Sequence, residues 1–181
     1  MALKKWKIKK TEIVFNHKWY KLRRDEVELP NGRLVDDYFV SVRPDVVVIF
    51  ALTADDQVVM VRQYKHGTGE VVEELPGGVI DEGETAEEAA KRELIEETGY
   101  SSEDFRLINI LIDNPTKDTN KINLFLATNA KKTAGQNLDE NEEIEVFTLA
   151  VDELKNKIAK GEIKVSGTVA GVFLALNHLN G

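Results

Sequence analysis

Hydrophobic and polar residues alternate along much of the chain, and this pattern predicts a structure rich in β-strands. Near the N-terminus, residues 19–29 and 33–42 each alternate, and Pro30-Asn31-Gly32 between them has the composition of a hairpin turn. This hairpin carries few apolar residues on a second face. We therefore expect a small antiparallel sheet that packs on other structure.

A second region begins with a continuous apolar run. Residues 46–52 read Val-Val-Val-Ile-Phe-Ala-Leu, which predicts a buried strand, and residues 57–63 return as its partner after a turn. Further strands are predicted at 70–74, 106–112, 122–127 and 143–149, and helices at 85–98, 152–160 and 167–178. The polar stretch 131–141, which contains one glycine, predicts a mobile loop.

Length, cysteine content and charge restrict the class of protein. With 181 residues, the chain is long enough for one well-buried domain plus an extra element at one end. The absence of cysteine excludes disulfides, zinc–thiolate sites, iron–sulfur clusters and thiol nucleophiles. The formal net charge of −8 argues against a nucleic-acid partner, since phosphate backbones are bound by clustered Lys and Arg. An acidic protein can still bind a small phosphorylated ligand when a divalent cation lies between them.

Nothing in the sequence predicts a targeting or membrane segment. The charged residues at the N-terminus are not followed by the apolar run of a secretory signal, and no stretch reaches the roughly 20 apolar residues that cross a bilayer. The expected location is the cytoplasm, with no membrane partner.

One helix has strong signals at both ends. Thr85, followed three residues later by Glu88, forms a capping-box sequence, and Gly99 is a typical C-terminal stop. At about 100° per residue, three alanines form one small apolar face that should be buried. They are Ala86, Ala89 and Ala90.

Two glutamates of the helix lie on this same apolar face. Counted from Ala86, Glu93 falls about 20° to one side and Glu97 about 20° to the other, while Glu96 lies on the flank. Glu87 and Glu88 face outward and are expected to be solvated.

Buried like charges at this spacing need a compensating cation. Two carboxylates about 4 Å apart repel by about 4 kcal/mol at an effective dielectric constant near 20. Arg92 could pair with one carboxylate, but helical geometry places it on a different side of the helix from both Glu93 and Glu97. A hard divalent cation is simpler, and ligation by oxygen alone indicates Mg²⁺ or Mn²⁺.

The same segment carries a family motif. Gly78, then Glu84 after five residues, then Arg92-Glu93-Leu94-Ile95-Glu96-Glu97-Thr98-Gly99-Tyr100 after seven more, together resemble the Nudix box. The resemblance covers the chain from about residue 46 to the C-terminus. It implies an α+β fold, a Nudix-type α/β/α sandwich with a mixed central sheet. Residues 1–44 are then expected to form a small N-terminal antiparallel β arm, and residues 45–181 the Nudix hydrolase domain.

In similar proteins this motif binds the metal. The resemblance implies that Mg²⁺, with Mn²⁺ as a possible substitute, is held by three glutamates and by the main-chain carbonyl before the box glycine. These ligands are Glu93, Glu96, Glu97 and Gly77. Arg92 is expected to orient the carboxylates, and Glu84 to tie the loop to the helix. The implied reaction is attack of water on one phosphorus of a nucleoside diphosphate linked to a second moiety.

Within the family, the chain is similar to the ADP-ribose pyrophosphatase group. Pro115 lies fifteen residues after Tyr100, where that group carries a proline, and residues 139–146 resemble the group's acidic loop and following strand. There the resemblance implies Glu140 as the general base and Glu142 as a further metal ligand. The N-terminal hairpin corresponds to an arm that, in such enzymes, exchanges between the subunits of a homodimer and helps to bind the nucleotide.

Several positions are expected to contact a small nucleotide substrate. The group has a strand that ends in a basic residue, which favours Lys65 over Arg62 as the phosphate contact. The expected substrate contacts are Lys65, Arg43, Tyr20, Glu74 and Pro115. Trp19 or Tyr20 could stack on a base, although a lone aromatic residue in a strand is more often part of a core.

Four functions stay open at this point. Hydrolysis of ADP-ribose to AMP and ribose 5-phosphate is favoured. Hydrolysis of GDP-mannose or another nucleotide sugar is the alternative, since Asn114-Pro115-Thr116 stands where similar ADP-ribose enzymes usually have Ser-Pro-Gly. Cleansing of oxidised nucleoside triphosphates would not need the N-terminal hairpin. A non-catalytic, nucleotide-sensing Nudix module would commonly lack box carboxylates, and here every box position is filled.

Overall fold

The computed structural model describes residues 3–181, and the chain divides into two compact units. The first contains the chain up to Pro44 together with Ile112–Asn120, and the second contains Asp45–Leu111 and Lys121–Gly181. The expected boundary between an arm at 1–44 and a domain at 45–181 stays a prediction, because the unit that contains the arm also includes Ile112–Asn120.

Three antiparallel strands form the sheet of the first unit, in the order β1–β2–β3. β1 is Lys7–His17, β2 is Tyr20–Glu28 and β3 is Leu34–Val42, and Gly32 adopts a positive φ of 84° in the turn between β2 and β3. The predicted hairpin is confirmed, but β1 was missed as a separate strand. All but one of its residues are exposed, so no buried stripe marks it in the sequence.

The segment Ile112–Asn120 lies along the end of β3 within the first unit. The amide of Thr119 donates to the carbonyl of Ser41 at 3.1 Å, and the hydroxyl of Tyr38 donates to the carbonyl of Thr116 at 2.9 Å. These bonds hold the loop that contains Pro115 against the strand.

A mixed sheet forms the centre of the second unit. Its main path runs β10–β5–β4–β9–β7, with β6 paired to β5 and β8 paired to β9. The strands are β4 (Val46–Thr53), β5 (Gln57–Lys65), β6 (Glu70–Glu74), β7 (Tyr100–Ser101), β8 (Asp104–Ile112), β9 (Lys121–Lys132) and β10 (Ile144–Ala150). β4 and β9 are parallel, whereas β5 is antiparallel to β4, β6 and β10. The predicted strands are confirmed to within a few residues, and the two-residue strand β7 was missed.

Helices cover both faces of this sheet, which confirms the predicted sandwich. α1 is Ala86–Thr98, α2 is Val151–Ala159 and α3 is Ser166–Leu179. On one face Val47, Ile49 and Ala51 pack with α1, and on the other Phe50 packs with residues of α2 and α3. Both sides of β4 are therefore buried, which explains why the strand is apolar without alternation. Among residues 3–181, no helix combines the length and apolar character needed to cross a membrane.

The ends of α1 follow the sequence signals. Thr85 and Glu88 form both bonds of the capping box, and Gly99 ends the helix in the left-handed conformation, with φ of 73°. The helix therefore begins and ends where the sequence predicted.

The predicted mobile loop at 131–141 was partly wrong. Lys131 and Lys132 are the last residues of β9, and the next two amides, of Thr133 and Ala134, both donate to the carbonyl of Gly99 at 2.9 and 3.1 Å. The loop therefore begins at residue 133 and is bonded to the end of α1. Sequence periodicity gave no sign of this, since the bonds are made by main-chain atoms.

We expect Gly99→Ala to lower the free energy of unfolding by about 3 kcal/mol. The left-handed φ costs an alanine about 1–2 kcal/mol, and its Cβ would lie 2.3 Å from the carbonyl oxygen of Ala134, which adds about 1–3 kcal/mol of overpacking. Gly161 is a matched control, because it has the same φ of 73° and no atom within 4 Å of the added Cβ. Urea unfolding should show Gly161→Ala losing only about 1–2 kcal/mol. Equal losses in the two variants would contradict the steric argument.

Candidate active site

The site begins where β4 and β5 separate. The two strands pair at Leu52 and Val58, and beyond that point the segment 76–78 takes the place beside β4. Its carbonyls at Pro76 and Gly78 accept bonds from β4 amides at 2.9 and 2.8 Å. A stretch of non-strand backbone is thus held at the edge of β4, facing α1.

Two adjacent glycines allow this segment to approach both neighbours. A Cβ on Gly77 would lie 2.2 Å from the carbonyl oxygen of Val47, and a Cβ on Gly78 would lie 2.2 Å from a carboxylate oxygen of Glu93. Gly77 has no room for a side chain, and a side chain on Gly78 would have to displace the carboxylate of Glu93. The carboxylate of Glu93 therefore packs directly against main chain.

Glu97 is the most deeply buried carboxylate of the site, with 4% of the residue exposed. Its Oε2 accepts a hydrogen bond from the Gly77 amide at 2.9 Å. Burial raises the pKa of Glu97 to about 8, and the charge of Glu93 raises it further, while the Gly77 amide and Lys65 act in the opposite direction. The predicted inward orientation of Glu97 is confirmed.

Glu93 also points inward, with 14% of its side chain exposed. Burial raises its pKa, and the carboxylates of Glu96 and Glu142 add to this effect, whereas Arg92 opposes it. Ionised carboxylates are thus costly at both inward positions. The solvated positions of Glu87 and Glu88 are also confirmed, since both are exposed.

Arg92 corrects one of the sequence predictions. Its guanidinium bonds Glu93 at 2.8 Å and Glu96 at 3.1 Å, so it does compensate a buried carboxylate of the helix. The prediction failed because it considered only the direction of the Cα–Cβ bond, and the long side chain folds back across the helix. Glu97 is outside the reach of these bonds and keeps the raised pKa described above.

The same guanidinium ties the preceding loop to α1. Nε and Nη2 donate to the two oxygens of Glu84 at 2.8 and 2.9 Å, and Nη2 also donates to the carbonyl of Val79 at 2.9 Å. This fork lowers the pKa of Glu84 and raises that of Arg92. The expected roles of Glu84 and Arg92 in orienting the loop and the carboxylates agree with this geometry.

Lys65 and Glu74 join the site from β5 and β6. Lys65 Nζ lies 3.0 Å from Glu74 Oε1, Gln63 Nε2 donates to the same oxygen at 3.0 Å, and the charges of Lys65 and Glu74 both act on Glu97. Gln63 was not predicted as a site residue. Its signal was available, because it lies two residues from Lys65 on a strand and so shares its face.

Arg62 lies on the opposite face of β5 and does not reach the carboxylates. It bonds Glu73 and Glu145, both at 2.8 Å, and Glu73 is also 3.0 Å from Lys157. This ion-pair network joins the sheet to α2. The alternation of the strand thus favours Lys65, as the sequence did.

The acidic loop reaches the site through the end of α1. Gln136 Nε2 donates to the carbonyl of Glu97 at 2.7 Å and to that of Ile144 at 3.0 Å, and the amide of Asn137 donates to the carbonyl of Glu96 at 2.9 Å. Gln136 was not predicted, since a lone glutamine in a polar stretch carries no sequence signal.

Glu140 and Glu142 occupy different positions within the acidic loop. Glu142 Oε2 accepts from the Asp139 amide at 3.1 Å, and its charge acts on Glu93, so Glu142 lies near the cluster. Glu140 is exposed on the loop.

The other expected contacts belong to the first unit. The main-chain amide of Arg43 bonds the hydroxyl of Thr119 at 3.0 Å, and its guanidinium lies 3.7 Å from Asp118. The ring of Tyr20 lies 6.2 Å from that of Phe15, and Pro115 is in the loop that bonds β3.

The carboxylate oxygens of α1 are of the type that binds a hard divalent cation, although they do not yet converge on one point. Within residues 3–181, no three His, Cys, Asp or Glu side chains already converge on a point suited to a metal ion. Each helix carboxylate uses one oxygen in the bonds above: Glu93 Oε1, Glu96 Oε2 and Glu97 Oε2. The second oxygen of each is a candidate ligand of the type that Mg²⁺ prefers.

Comparison with known families decides the membership of the chain. The NUDIX domain model matches residues 42–166. The chain belongs to the Nudix family. The N-terminal part of this Nudix protein also matches the nucleoside diphosphate sugar hydrolase N-terminal domain over residues 6–41. The resemblance read from the box is therefore confirmed.

Several Nudix relatives cover most of the chain. A methanol dehydrogenase activator from Bacillus methanolicus is 35% identical over 90% of this chain and 88% of its own length. An ADP-ribose pyrophosphatase from Bacillus subtilis (strain 168) is 29% identical over 84% of this chain and 82% of its own length. A crystal structure of ADP compounds hydrolase superposes with a TM-score of 0.88 at 26% identity, covering 100% of this chain and 97% of that one. The fold of that hydrolase is thus shared along the whole chain.

We expect the affinity for Mg²⁺ or Mn²⁺ to rise with pH up to about 8. Below that pH the metal-free protein holds a proton on Glu97, which a bound cation must displace, so affinity should increase by up to about tenfold per pH unit. Because the pKa is raised from its ordinary value of 4.5 in the folded chain, the metal-free protein should also lose stability as pH rises between these values. Calorimetric titration at several pH values measures the first effect. An affinity that does not vary between about pH 6 and 8 would contradict it.

Proposed function

We propose that this Nudix hydrolase cleaves the pyrophosphate bond of ADP-ribose, giving AMP and ribose 5-phosphate. The observation that carries the proposal is the pair of inward carboxylates, Glu93 and Glu97, whose raised pKa values reflect an incomplete compensation of charge. Support for the substrate comes from the relatives, since ADP-ribose pyrophosphatase and ADP compounds hydrolase are the names of two of them.

Mg²⁺ is the cation that we assign to this site, with Mn²⁺ as a substitute. Glu93, Glu96 and Glu97 would supply carboxylate oxygens, and Glu142 a further one. The carbonyl of Gly77 is proposed as a further ligand by resemblance to the family, and the amide of the same residue already bonds Glu97 at 2.9 Å. When bound, the metal lowers the pKa of water and neutralises phosphate charge.

Glu140 is the proposed general base. It lies exposed on a loop attached to α1, and a base on a loop can approach the water after the substrate has entered. The oxygen of water would bond to one phosphorus, its proton would pass to Glu140, and the bridging oxygen would leave with the other phosphate. Glu93 and Glu97 complete the proposed catalytic set as metal ligands, and Arg92 orients carboxylates through its bonds to Glu93 and Glu96.

Among the proposed substrate contacts, Lys65 has the strongest support. Lys65 is favoured because its ammonium lies close enough to act on Glu97, and Glu74 holds it there at 3.0 Å. Arg43, Tyr20 and Pro115 are proposed by resemblance to the ADP-ribose pyrophosphatase group.

A nucleotide sugar such as GDP-mannose is the second candidate substrate. It is favoured by the match of residues 6–41 to the nucleoside diphosphate sugar hydrolase N-terminal domain, together with Asn114-Pro115-Thr116 in the loop. A non-catalytic sensing role is less supported, since the carboxylates of the box are all present, and Glu93 and Glu97 face inward.

Turnover of ADP-ribose with Mg²⁺ is the decisive measurement, with AMP and ribose 5-phosphate expected in equal amounts. GDP-mannose, UDP-glucose and an oxidised nucleoside triphosphate belong in the same assay. Glu97→Gln should lower kcat by at least about a hundredfold without unfolding the chain, since it removes one metal ligand. Glu87→Gln is the matched control, because Glu87 lies on the same helix, is exposed and pairs with Lys91. Absence of turnover for every compound would refute the hydrolase, and full activity of Glu97→Gln would refute the metal site.

We also propose that the arm mediates a homodimer. Its three strands expose large apolar side chains, among them Ile8, Phe15 and Leu34, and Trp19 is exposed in the turn between β1 and β2. The first 24 residues contain nine Lys or Arg and a single acid, Glu12, although the whole chain has a net charge of −8. A basic, apolar surface on an otherwise acidic chain is complementary to a second copy.

Sedimentation should therefore give twice the chain mass of 20.4 kDa at micromolar concentration, with dissociation favoured by salt. Phe15→Asp should weaken the dimer at least about tenfold, because it buries a charge where an aromatic ring was covered. The matched control is Phe173→Asp on α3, where the ring has a similar exposure of 57% against 52%. A wild-type monomer under these conditions would refute the dimer.

A further inference from the structure

The side chain of Gln136 joins two elements of the second unit, α1 and β10. A glutamine amide has two N–H donors, and both are used on main-chain carbonyls, of Glu97 at 2.7 Å and of Ile144 at 3.0 Å. Glu97 lies in the last turn of α1, and Ile144 is the first residue of β10. One side chain therefore bonds the helix that carries the carboxylates to the strand that follows the acidic loop.

These two bonds close the base of the acidic loop. Gln136 precedes the loop 137–143 and Ile144 follows it, so its side chain joins the entry of the loop to its exit. The carbonyls of Glu96 and Glu97 lie at the end of a helix, where no intrahelical amide is available, and the loop satisfies both of them. The two side-chain hydrogen bonds of Gln136, which we call the anchor, thus satisfy a carbonyl at the end of the helix and also restrict the loop.

Loss of these two bonds would make the loop more mobile but would not unfold the second unit. Gln136 is exposed, so its removal leaves no cavity in either apolar layer. Between the anchored ends lie Glu140 and Glu142, and the charge of Glu142 already acts on Glu93. Without the two Gln136 bonds, residues 137–143 would sample many more conformations. Few of these would keep the carboxylates of Glu140 and Glu142 beside α1.

We propose that Gln136 is a positioning residue that holds the acidic loop against the carboxylate helix. It touches neither metal nor substrate and acts through Glu140 and Glu142. The kinetic part of this proposal rests on the proposed hydrolysis, whereas the anchoring of the loop does not.

Gln136→Glu is the sharpest variant. It keeps the shape of the side chain but replaces both N–H donors with oxygen, which would then face two carbonyl oxygens. Gln57→Glu is the matched control, because the side-chain amide of Gln57 also donates to a main-chain carbonyl, that of Asp55 at 3.4 Å. Gln57 is the first residue of β5, at the end opposite to the site residue Lys65. Gln136→Asn retains the amide on a shorter side chain, so its loop and its activity should be closer to those of the wild type than in Gln136→Glu.

Amide hydrogen exchange tests the anchor without any substrate. In Gln136→Glu, exchange across residues 137–143 should be at least about tenfold faster than in the wild type, while α1, β9 and the thermal midpoint change little. Gln57→Glu should leave the loop unchanged. Unaltered exchange in the loop of Gln136→Glu, or faster exchange throughout the unit, would overturn the proposal.

Kinetics test the positioning role. Gln136→Glu should lower kcat by about tenfold to a hundredfold, which is the loss expected when a base is misplaced. In a background with both Glu140→Gln and Glu142→Gln, the same change should cost less than about threefold, since both groups that Gln136 positions are already absent. Equal losses in the two backgrounds would overturn the role. A wild type that hydrolyses no nucleotide would refute the proposed function instead, and the exchange result would still decide the anchor.

Discussion

The structure depends on carboxylates that are packed against main chain at the point where two strands separate. The carboxylate of Glu93 occupies the space that a Cβ on Gly78 would need, and Glu97 accepts a hydrogen bond from the Gly77 amide. Burial makes their ionisation costly. They are nevertheless held there because the small alanines on the same face of α1 bring the helix close to the sheet. Two well-packed apolar layers, one on each face of β4, supply the stability that lets the chain tolerate this cost.

The neighbouring elements follow from the position of these carboxylates. Alternation along β5 sends Lys65 and Gln63 to the face of α1 and Arg62 to the other face, where it joins Glu73 and Glu145. Arg92 ties the loop before α1 through Glu84, and Gln136 ties the loop after β9 through the last carbonyls of the helix. Both ends of α1 are thus fastened to loops that border the site. A helix held in this way can keep charged groups in place that solvent would otherwise reorient.

Much of this could be predicted from the sequence, and the failures have clear physical causes. The strands and the inward face of Glu97 followed from periodicity, which reports burial, and the capping box of α1 followed from the spacing of Thr85 and Glu88. β1 was missed because almost nothing in it is buried, and the reach of Arg92 because helical angles fix the Cβ direction and not the position of a flexible terminus. Gln136 and the attachment of the acidic loop were invisible, since hydrogen bonds to main-chain carbonyls select no residue pattern.

Charge explains how an acidic chain and an anionic substrate can be reconciled. Six carboxylates meet around α1, those of Glu74, Glu84, Glu93, Glu96, Glu97 and Glu142, and the two cations bonded among them are Arg92 and Lys65. When all are ionised, the cluster carries an excess of negative charge, and a pyrophosphate would add more. Such a substrate cannot approach unless divalent cations enter first or with it. The acidity of the site is therefore the feature that makes binding of the proposed substrate conditional on metal.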